Sequence, residues 1–386
     1  MNRQLSRQAL DKLLQAADIE SLSSEQLRQL FTGEDGIKNY IPDGLCQFDP
    51  RNGDRIVFNS SRARRPHDNR PEDLDASIES SDRGCVICEG STTGVVDVAE
   101  LSQGFTFINK NLFPILYPAQ VRDKEASLDE GSRFLDPHGI PAHGYHFLQW
   151  TSSLHDWDWH NLPHEDRLVV MKRLAVLERK LLLDSRSEAG SETQLDGKDI
   201  YNGYVSIIKN YGRLVGGSLA HGHQQIAYSN VIPRRVLDHQ RFEMEHGENF
   251  SAYMLRENPP SILLRDYGAA VLLVPYFMRR PFDMFLIIKD TNKRFLYELD
   301  ESEIAAAADG WRDAIRVILM VMPKIGKESA YNVITNNGPG TGLYFEFLPY
   351  TQETGGFEHL GLYLCQGNPE DSAGQLRLNI EAFESG

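Results

Sequence analysis

Two stretches of this chain read alike. "YVSIIKNYGRLVGGSLAHGHQQIAYS" from Tyr204 and "YNVITNNGPGTGLYFEFLPY" from Tyr331 each give a strand, an asparagine, a glycine-bearing connection and a second strand. Each stretch follows further strand candidates and one long amphipathic helix. In the first half these are "GFTFINK", "GYHFLQWTSS" and "HEDRLVVMKRLAVLERKLLLDS", where Val170, Leu174, Leu177 and Leu181 share a helical face. In the second they are "AAVLLVPYF", "MFLIIKD" and "ESEIAAAADGWRDAIRVILMVM", with Ile304, Ala308, Trp311, Ile315 and Ile318 as the buried face. Asp300 is placed to cap that helix and Pro323 to stop it. The repeated order predicts an α+β chain of two tandem units, with antiparallel sheets flanked by helices. The boundaries expected are a helical lead-in over 1–44, a first unit over 45–232 and a second, degenerate unit over 233–386.

Composition narrows the function. A chain of 386 residues suits two domains or one large fused one, and 41% hydrophobic with 25% charged residues suits a soluble globular protein. A formal net charge of −15 argues against a nucleic-acid partner, yet a few arginines can still make a local pocket for a small phosphorylated ligand. The amphipathic, charged N-terminus is unlike a signal peptide, and no run is apolar enough to span a membrane. Four cysteines make no disulfide scaffold at this size, so a reducing cytoplasm is expected.

His221, His223 and Gln225 stand at alternate positions in "GGSLAHGHQQIAYSN", so on a strand they share one face. A wet strand would give the same spacing, but Leu219, Ala220, Ile226 and Ala227 are not the neighbours of an exposed strand. An imidazole can attack phosphorus directly and leave a phosphoramidate for a second acceptor to cleave. It needs its other ring nitrogen held by an acceptor, so that the attacking one is unprotonated. A glutamine two positions on can donate to a phosphoryl oxygen while shuttling protons poorly, which suits a transferase more than a hydrolase. Cys85 and Cys88 form a C-x-x-C that alone serves equally as a turn, a redox dithiol or half of a metal site.

This His-x-His-x-Gln setting resembles the galactose-1-phosphate uridylyltransferase-like family, the transferase branch of the histidine triad (HIT) superfamily. The resemblance runs over nearly the whole chain after residue 45. "SSRARRPH" is similar to the family's N-terminal Arg-Ala-x-Arg-Pro segment, "CVIC" to its zinc-binding cysteine pair and "FTFINK" to its nucleoside-contacting strand. "VPYFMRRPFDMFLIIK" resembles the opening of its second half, and "LCQGNPEDSAGQLR" its C-terminal glutamine-containing helix. The resemblance implies tandem HIT-like units of half-barrel type. It makes His223 the nucleophile, with Gln225 binding the phosphoryl oxygens. Substrate contacts fall to Arg62, Arg65, Asn109, Asn210, Ser218 and, on the sugar side, Gln366. It implies a structural Zn²⁺ held by Cys85, Cys88, His155 and His221, with His160 and His164 close enough in sequence to compete with His155. It also implies a homodimer.

The second half departs from the family. Tyr344 and Glu346 stand where a second metal's His-x-His would be, so no second metal is expected. "TQETGGFEHLGLYL", where a hexose-phosphate lysine belongs, has no lysine or arginine and offers only His359, and Lys110 replaces a ribose-facing aspartate. The leading expectation is a nucleotidyltransferase that moves a nucleoside monophosphate from a nucleoside diphosphate sugar to a phosphate-bearing acceptor. The alternatives are a phosphorylase that attacks a nucleotide sugar or a dinucleoside polyphosphate with inorganic phosphate, and a non-catalytic nucleotide-sugar sensor. Base, sugar and acceptor are not legible in these residues.

Overall fold

Short alternating strands bounded by glycines need partners on both edges, and here ten of them join in one antiparallel sheet. The computed structural model describes residues 3–64, 84–119, 139–188 and 203–383. Its strands in the first half are β1 (Leu45–Phe48), β2 (Arg55–Val57), β3 (Val95–Glu100), β4 (Phe105–Lys110), β5 (Gly139–Pro141), β6 (Gly144–Trp150), β7 (Tyr204–Tyr211) and β8 (His223–Ser229). Those in the second are β9 (Leu263–Asp266), β10 (Ala270–Leu273), β11 (Met284–Ile288), β12 (Tyr331–Asn336) and β13 (Tyr344–Pro349). The large sheet runs β3-β4-β6-β8-β7-β12-β13-β11-β10-β9, and β2-β1-β5 form a small one. Both described sheets are open, and the architecture is α+β with antiparallel strands, as the element order predicts.

The two halves of the large sheet follow one pattern: three strands, a long helix, then two strands, with the last strand second from the centre line. Thus β8 lies between β6 and β7 as β13 lies between β11 and β12. The halves meet at β7 and β12, where Ile208 faces Ile334 and Asn210 faces Asn332.

The helices are α1 (Arg7–Asp11), α2 (Ser24–Thr32), α3 (His164–Glu188), α4 (Arg234–His246), α5 (Phe250–Glu257), α6 (Glu301–Lys324), α7 (Gly356–His359) and α8 (Pro369–Glu381). The long pair, α3 and α6, bury their apolar faces in one core with Ile108, Phe147, Val205, Ile207, Val333 and Phe345 of the sheet. All four apolar positions expected on α3 and all five on α6 are buried. Asp300 caps α6 in a reciprocal box with Glu303, its carboxylate accepting the Glu303 N–H at 2.9 Å. Pro323 falls in the last turn, and the helix ends one residue later.

On the opposite face of the first half, Leu5 and Leu10 pack with Ile87, Phe105, Phe107 and Trp150, so the N-terminal segment is part of that half's packing. This second layer explains why β4 is buried along its whole length. Among the described residues no helix is long and apolar enough to cross a membrane.

One carboxyl lies inside the junction of the halves. Glu178 of α3 accepts from the Asn337 side-chain amide at 2.5 Å and from the Tyr297 N–H at 3.3 Å. Burial above all pushes it up to about 8, so at neutral pH it is protonated when folded and ionised when unfolded. Unfolding then releases a proton, and stability falls as pH rises from 4.5 through 8. Glu178→Gln is expected to flatten that dependence, read as a smaller drop in Tm than the parent shows over the same interval. Parallel Tm curves would contradict it.

Candidate active site and metal centre

The connection from β7 to β8 must reverse the chain tightly. Arg213–Val215 form one 3-10 turn that Gly216 ends at φ +84°. At Gly217 an added Cβ would lie 2.7 Å from the Gly212 carbonyl, so the turn closes only with glycine there. Ser218 follows, half-buried, and leads to His221. Strand β8 begins at His223, and His221 lies two residues before it, its ring meeting Trp150 at a centroid distance of 5.4 Å as His223 does at 4.9 Å. Its Nε2–H donates to the Ser152 carbonyl at 2.7 Å, and its Nδ1 turns toward two thiols.

His223 is buried, and its Nδ1 lies 2.8 Å from the His221 carbonyl oxygen. A carbonyl only accepts, so Nδ1 carries the proton and Nε2 keeps its lone pair. Burial, the largest influence, lowers the imidazole to about 4, and it stays neutral at pH 7. The Trp150 ring covers it at a centroid distance of 4.9 Å. Asn109 is spent on that wall: its Oδ1 accepts the Trp150 indole N–H at 2.7 Å and its Nδ2 donates to Thr92 at 2.7 Å.

The adjacent glutamines divide. Gln224 is buried toward α3, donating to Gln149 at 2.9 Å and accepting from the Trp159 indole at 3.2 Å. Gln225, half-buried, projects as His223 does. Asn210 shares this face of the sheet; the register that sets Ile208 opposite Gln225 brings Asn210 level with His223 two residues on. Its Oδ1 accepts from Asn332 at 2.7 Å, which fixes its amide so that Nδ2 points away from β12. Asn332 escaped the sequence reading, although a polar residue opening the strand "YNVITN" was a usable signal.

Arg62 lies in the 3-10 turn Ser60–Arg64 and donates to the Phe113 carbonyl at 3.1 Å. Arg65 lies outside the described residues. Gln366 stands apart. It is exposed beyond β13, its N–H donating to Gln352 at 3.0 Å, and β13 is separated from β8 by two strands, roughly 14 Å across the sheet. Lys110 is buried away from the site, its ammonium donating to the Leu30 carbonyl at 2.6 Å and paired with Glu34 at 2.9 Å. In the second half Tyr344 and Glu346 of β13 have protein partners: His239 lies 3.0 Å from the Tyr344 hydroxyl, and Arg235 pairs with Glu346 at 2.5 Å.

Cys85, Cys88, His155 and His221 bring one ligand atom each within 4.8 Å of one another, and this group could hold a metal ion. The C-x-x-C wraps in a turn closed by the Glu89 N–H on the Cys85 carbonyl at 3.0 Å, with Gly90 at φ +77°. Both cysteine sulfurs lie 3.6 Å from His221 Nδ1, and Cys88 Sγ lies 3.8 Å from His155 Nδ1. Burial and then the neighbouring Cys85 push the Cys88 thiol up to about 12, while burial lowers His155 and takes His221 to about 4. Neutral imidazoles are ready ligands, whereas two adjacent thiolates need a cation between them. The group contains His155 and neither competitor; His164 lies 3.1 Å from Asp309 instead.

No protein-family model matches the chain. A curated relative, ADP-glucose phosphorylase of Arabidopsis thaliana, is 22% identical over 361 residues, which is 89% of this chain and 94% of the relative. Among solved structures, a uridylyltransferase superposes with a TM-score of 0.63 at 18% identity, covering 88% of this chain and 99% of that one. The ADP-glucose phosphorylase of Arabidopsis thaliana with bound ADP-glucose superposes with a TM-score of 0.56 at 17% identity, covering 86% and 98%. The chain therefore shares the fold of these two solved structures, a uridylyltransferase and an ADP-glucose phosphorylase.

Proposed function

We propose that this chain is an enzyme that transfers the nucleotidyl group of a nucleoside diphosphate sugar by double displacement through His223. One observation carries the reading. A buried, neutral imidazole has its Nδ1–H committed to the His221 carbonyl, which leaves Nε2 as the only ring nitrogen with a lone pair. Nε2 attacks the α-phosphorus, the bond to the bridging oxygen breaks, and a sugar 1-phosphate leaves. A phosphate oxygen of the second substrate then attacks the same phosphorus, and the N–P bond breaks to restore His223. Gln225 and Asn210 donate amide N–H groups to the phosphoryl oxygens as charge shifts, with Ser218 beside them and Arg62 and Arg65 on the diphosphate. Asn109 contributes by holding Trp150 against the imidazole.

The acceptor separates two readings. The relative at 22% identity is an ADP-glucose phosphorylase, and the loop 351–364 carries no lysine or arginine for a hexose phosphate. Both favour inorganic phosphate as the attacking group; a dinucleoside polyphosphate would be cleaved through the same intermediate. Initial-rate kinetics test the shared mechanism: parallel double-reciprocal lines are expected with phosphate or a sugar 1-phosphate as varied acceptor. Intersecting lines, which require a ternary complex, would sink it. Binding of the donor with no turnover would point to the sensor.

The four clustered ligands suit Zn²⁺. A tetrahedral zinc with bonds of about 2.3 Å to sulfur and about 2.0–2.1 Å to nitrogen sets these atoms roughly 3.6 Å apart. The separations of 3.6, 3.6 and 3.8 Å match that edge. With all four positions filled by protein, the ion would be structural, tying the residue 85 turn to the segment that carries His223. A reducing cytoplasm keeps those thiols available. The same reading takes 45–232 and 233–386 as tandem units behind a 1–44 lead-in, which the repeated strand order supports. It takes the molecule as a homodimer, supported by the exposed apolar run Phe357, Leu360, Leu362 and Leu364.

A further inference from the structure

The turn that carries His221 and His223 is backed by a buried ion pair that no step above uses. A segment runs from His155 through Asp158 and Trp159 to α3, behind β8 on the side away from Gln225. Asp158 packs on the backbone of Gly222; an added Cβ there would lie 2.6 Å from its carboxyl carbon. The Asp158 carboxylate pairs with Lys209 at 2.7 Å, and both are almost wholly buried, at 5% and 1% exposure. Lys209 in turn donates from Nζ to the His223 carbonyl at 3.2 Å.

The backbone explains the need for a donor. The paired residues of β7 and β8 end at Ile208 and Gln225, so the His223 carbonyl lies just past the ladder and must find a donor elsewhere. A neutral side chain would serve at less desolvation cost, since a buried ion pair adds little to stability against an apolar replacement. An ammonium held by a carboxylate does add a fixed geometry. Its partner Asp158 sits three residues after the metal-ligand candidate His155 and touches the residue between His221 and His223.

We propose that Lys209, held by Asp158, is a positioning residue for His223: from the far face of the sheet it fixes the height and tilt of the backbone that aims Nε2 at phosphorus. The proposal rests on His223 being the nucleophile. Neither Lys209 nor Asp158 touches a reacting atom.

The test uses Asp158→Asn/Lys209→Met, because either single change strands a buried charge whereas the pair removes both. Zinc-loaded parent and variant are mixed with excess UDP-glucose or ADP-glucose, whichever loads the parent, and the covalent nucleotidyl adduct is followed in a single turnover. Expected are a full adduct amplitude, a half-saturating donor concentration unchanged within about twofold and a rate constant lower by about 10- to 100-fold. Lys209→Arg, which keeps the charge with altered reach, should fall between. A merely structural pair would lower the amplitude with the Tm and leave the folded fraction at the parent's rate constant, which would overturn the proposal. If the double variant does not fold, Lys209→Arg decides alone: a parent-like rate constant overturns it and a reduced one supports it. A parent that forms no adduct overturns the functional reading and this inference together.

Discussion

His223→Ala is expected to remove turnover, with kcat falling by on the order of 10⁴-fold or more, as loss of a covalent nucleophile does in other enzymes. Donor binding should survive. The phosphates are assigned to Gln225, Asn210 and the arginines, and Trp150 keeps its indole anchored on Asn109 at 2.7 Å. The change also opens space beneath Trp150, since that ring lies 4.9 Å from the imidazole, so a modest loss of Tm should accompany it. Calorimetric titration with the donor, run beside steady-state assays, separates the two effects. A variant that binds and still turns over would remove the nucleophile from the account; one that loses binding altogether would make His223 a binding residue.

Removal of the metal is expected to have the larger effect on stability. A structural zinc with cysteine and histidine ligands contributes on the order of 10 kcal/mol in small domains, which is comparable with the whole stability of a typical protein. Here the four ligands join three separated places in the chain: the turn at Cys85 and Cys88, the loop at His155, and the approach to β8 at His221. Cys88→Ala, or prolonged chelation, should reduce zinc from one per chain to none and lower the Tm. It should also slow adduct formation, because His221 supplies the carbonyl that holds His223 Nδ1 at 2.8 Å. Metal analysis by mass spectrometry with a thermal melt checks it. An unchanged Tm after full metal loss, or a parent purified without a stoichiometric metal, would contradict the assignment.

Much of this was legible in the sequence because periodicity reports faces. The apolar stripes of the two long helices, the cap at Asp300 and the repeated strand, helix and strand order follow from spacing alone. Spacing does not report edges, so nothing local said that β7 and β12 would pair and fuse both halves into one sheet. The same limit hid Asn332, which steers Asn210 across that joint. Lys209 was missed for another reason. In an alternating strand a lysine reads as a solvent-facing residue, and only the distant "DWDW" segment supplies the carboxylate that lets it be buried. His221 follows the strand's alternation in sequence and lies just before the strand in the fold, but spacing alone does not say that its imidazole meets both thiols at 3.6 Å. Asn109 sits on the expected strand, but its amide is engaged by Trp150 and Thr92, a contact no spacing rule contains.

In the proposed function His223 Nε2 carries the nucleotidyl group between substrates. Intact-mass measurement tests it most directly. The chain is incubated without acceptor with UDP-glucose, ADP-glucose and a dinucleoside polyphosphate in turn, then weighed at neutral pH and after brief acid. Expected is a gain of one nucleoside monophosphate that acid removes, as a phosphoramidate requires, and that His223→Ala never shows. No gain from any donor under conditions where binding is measured, or an acid-stable gain that persists in His223→Ala, would contradict it.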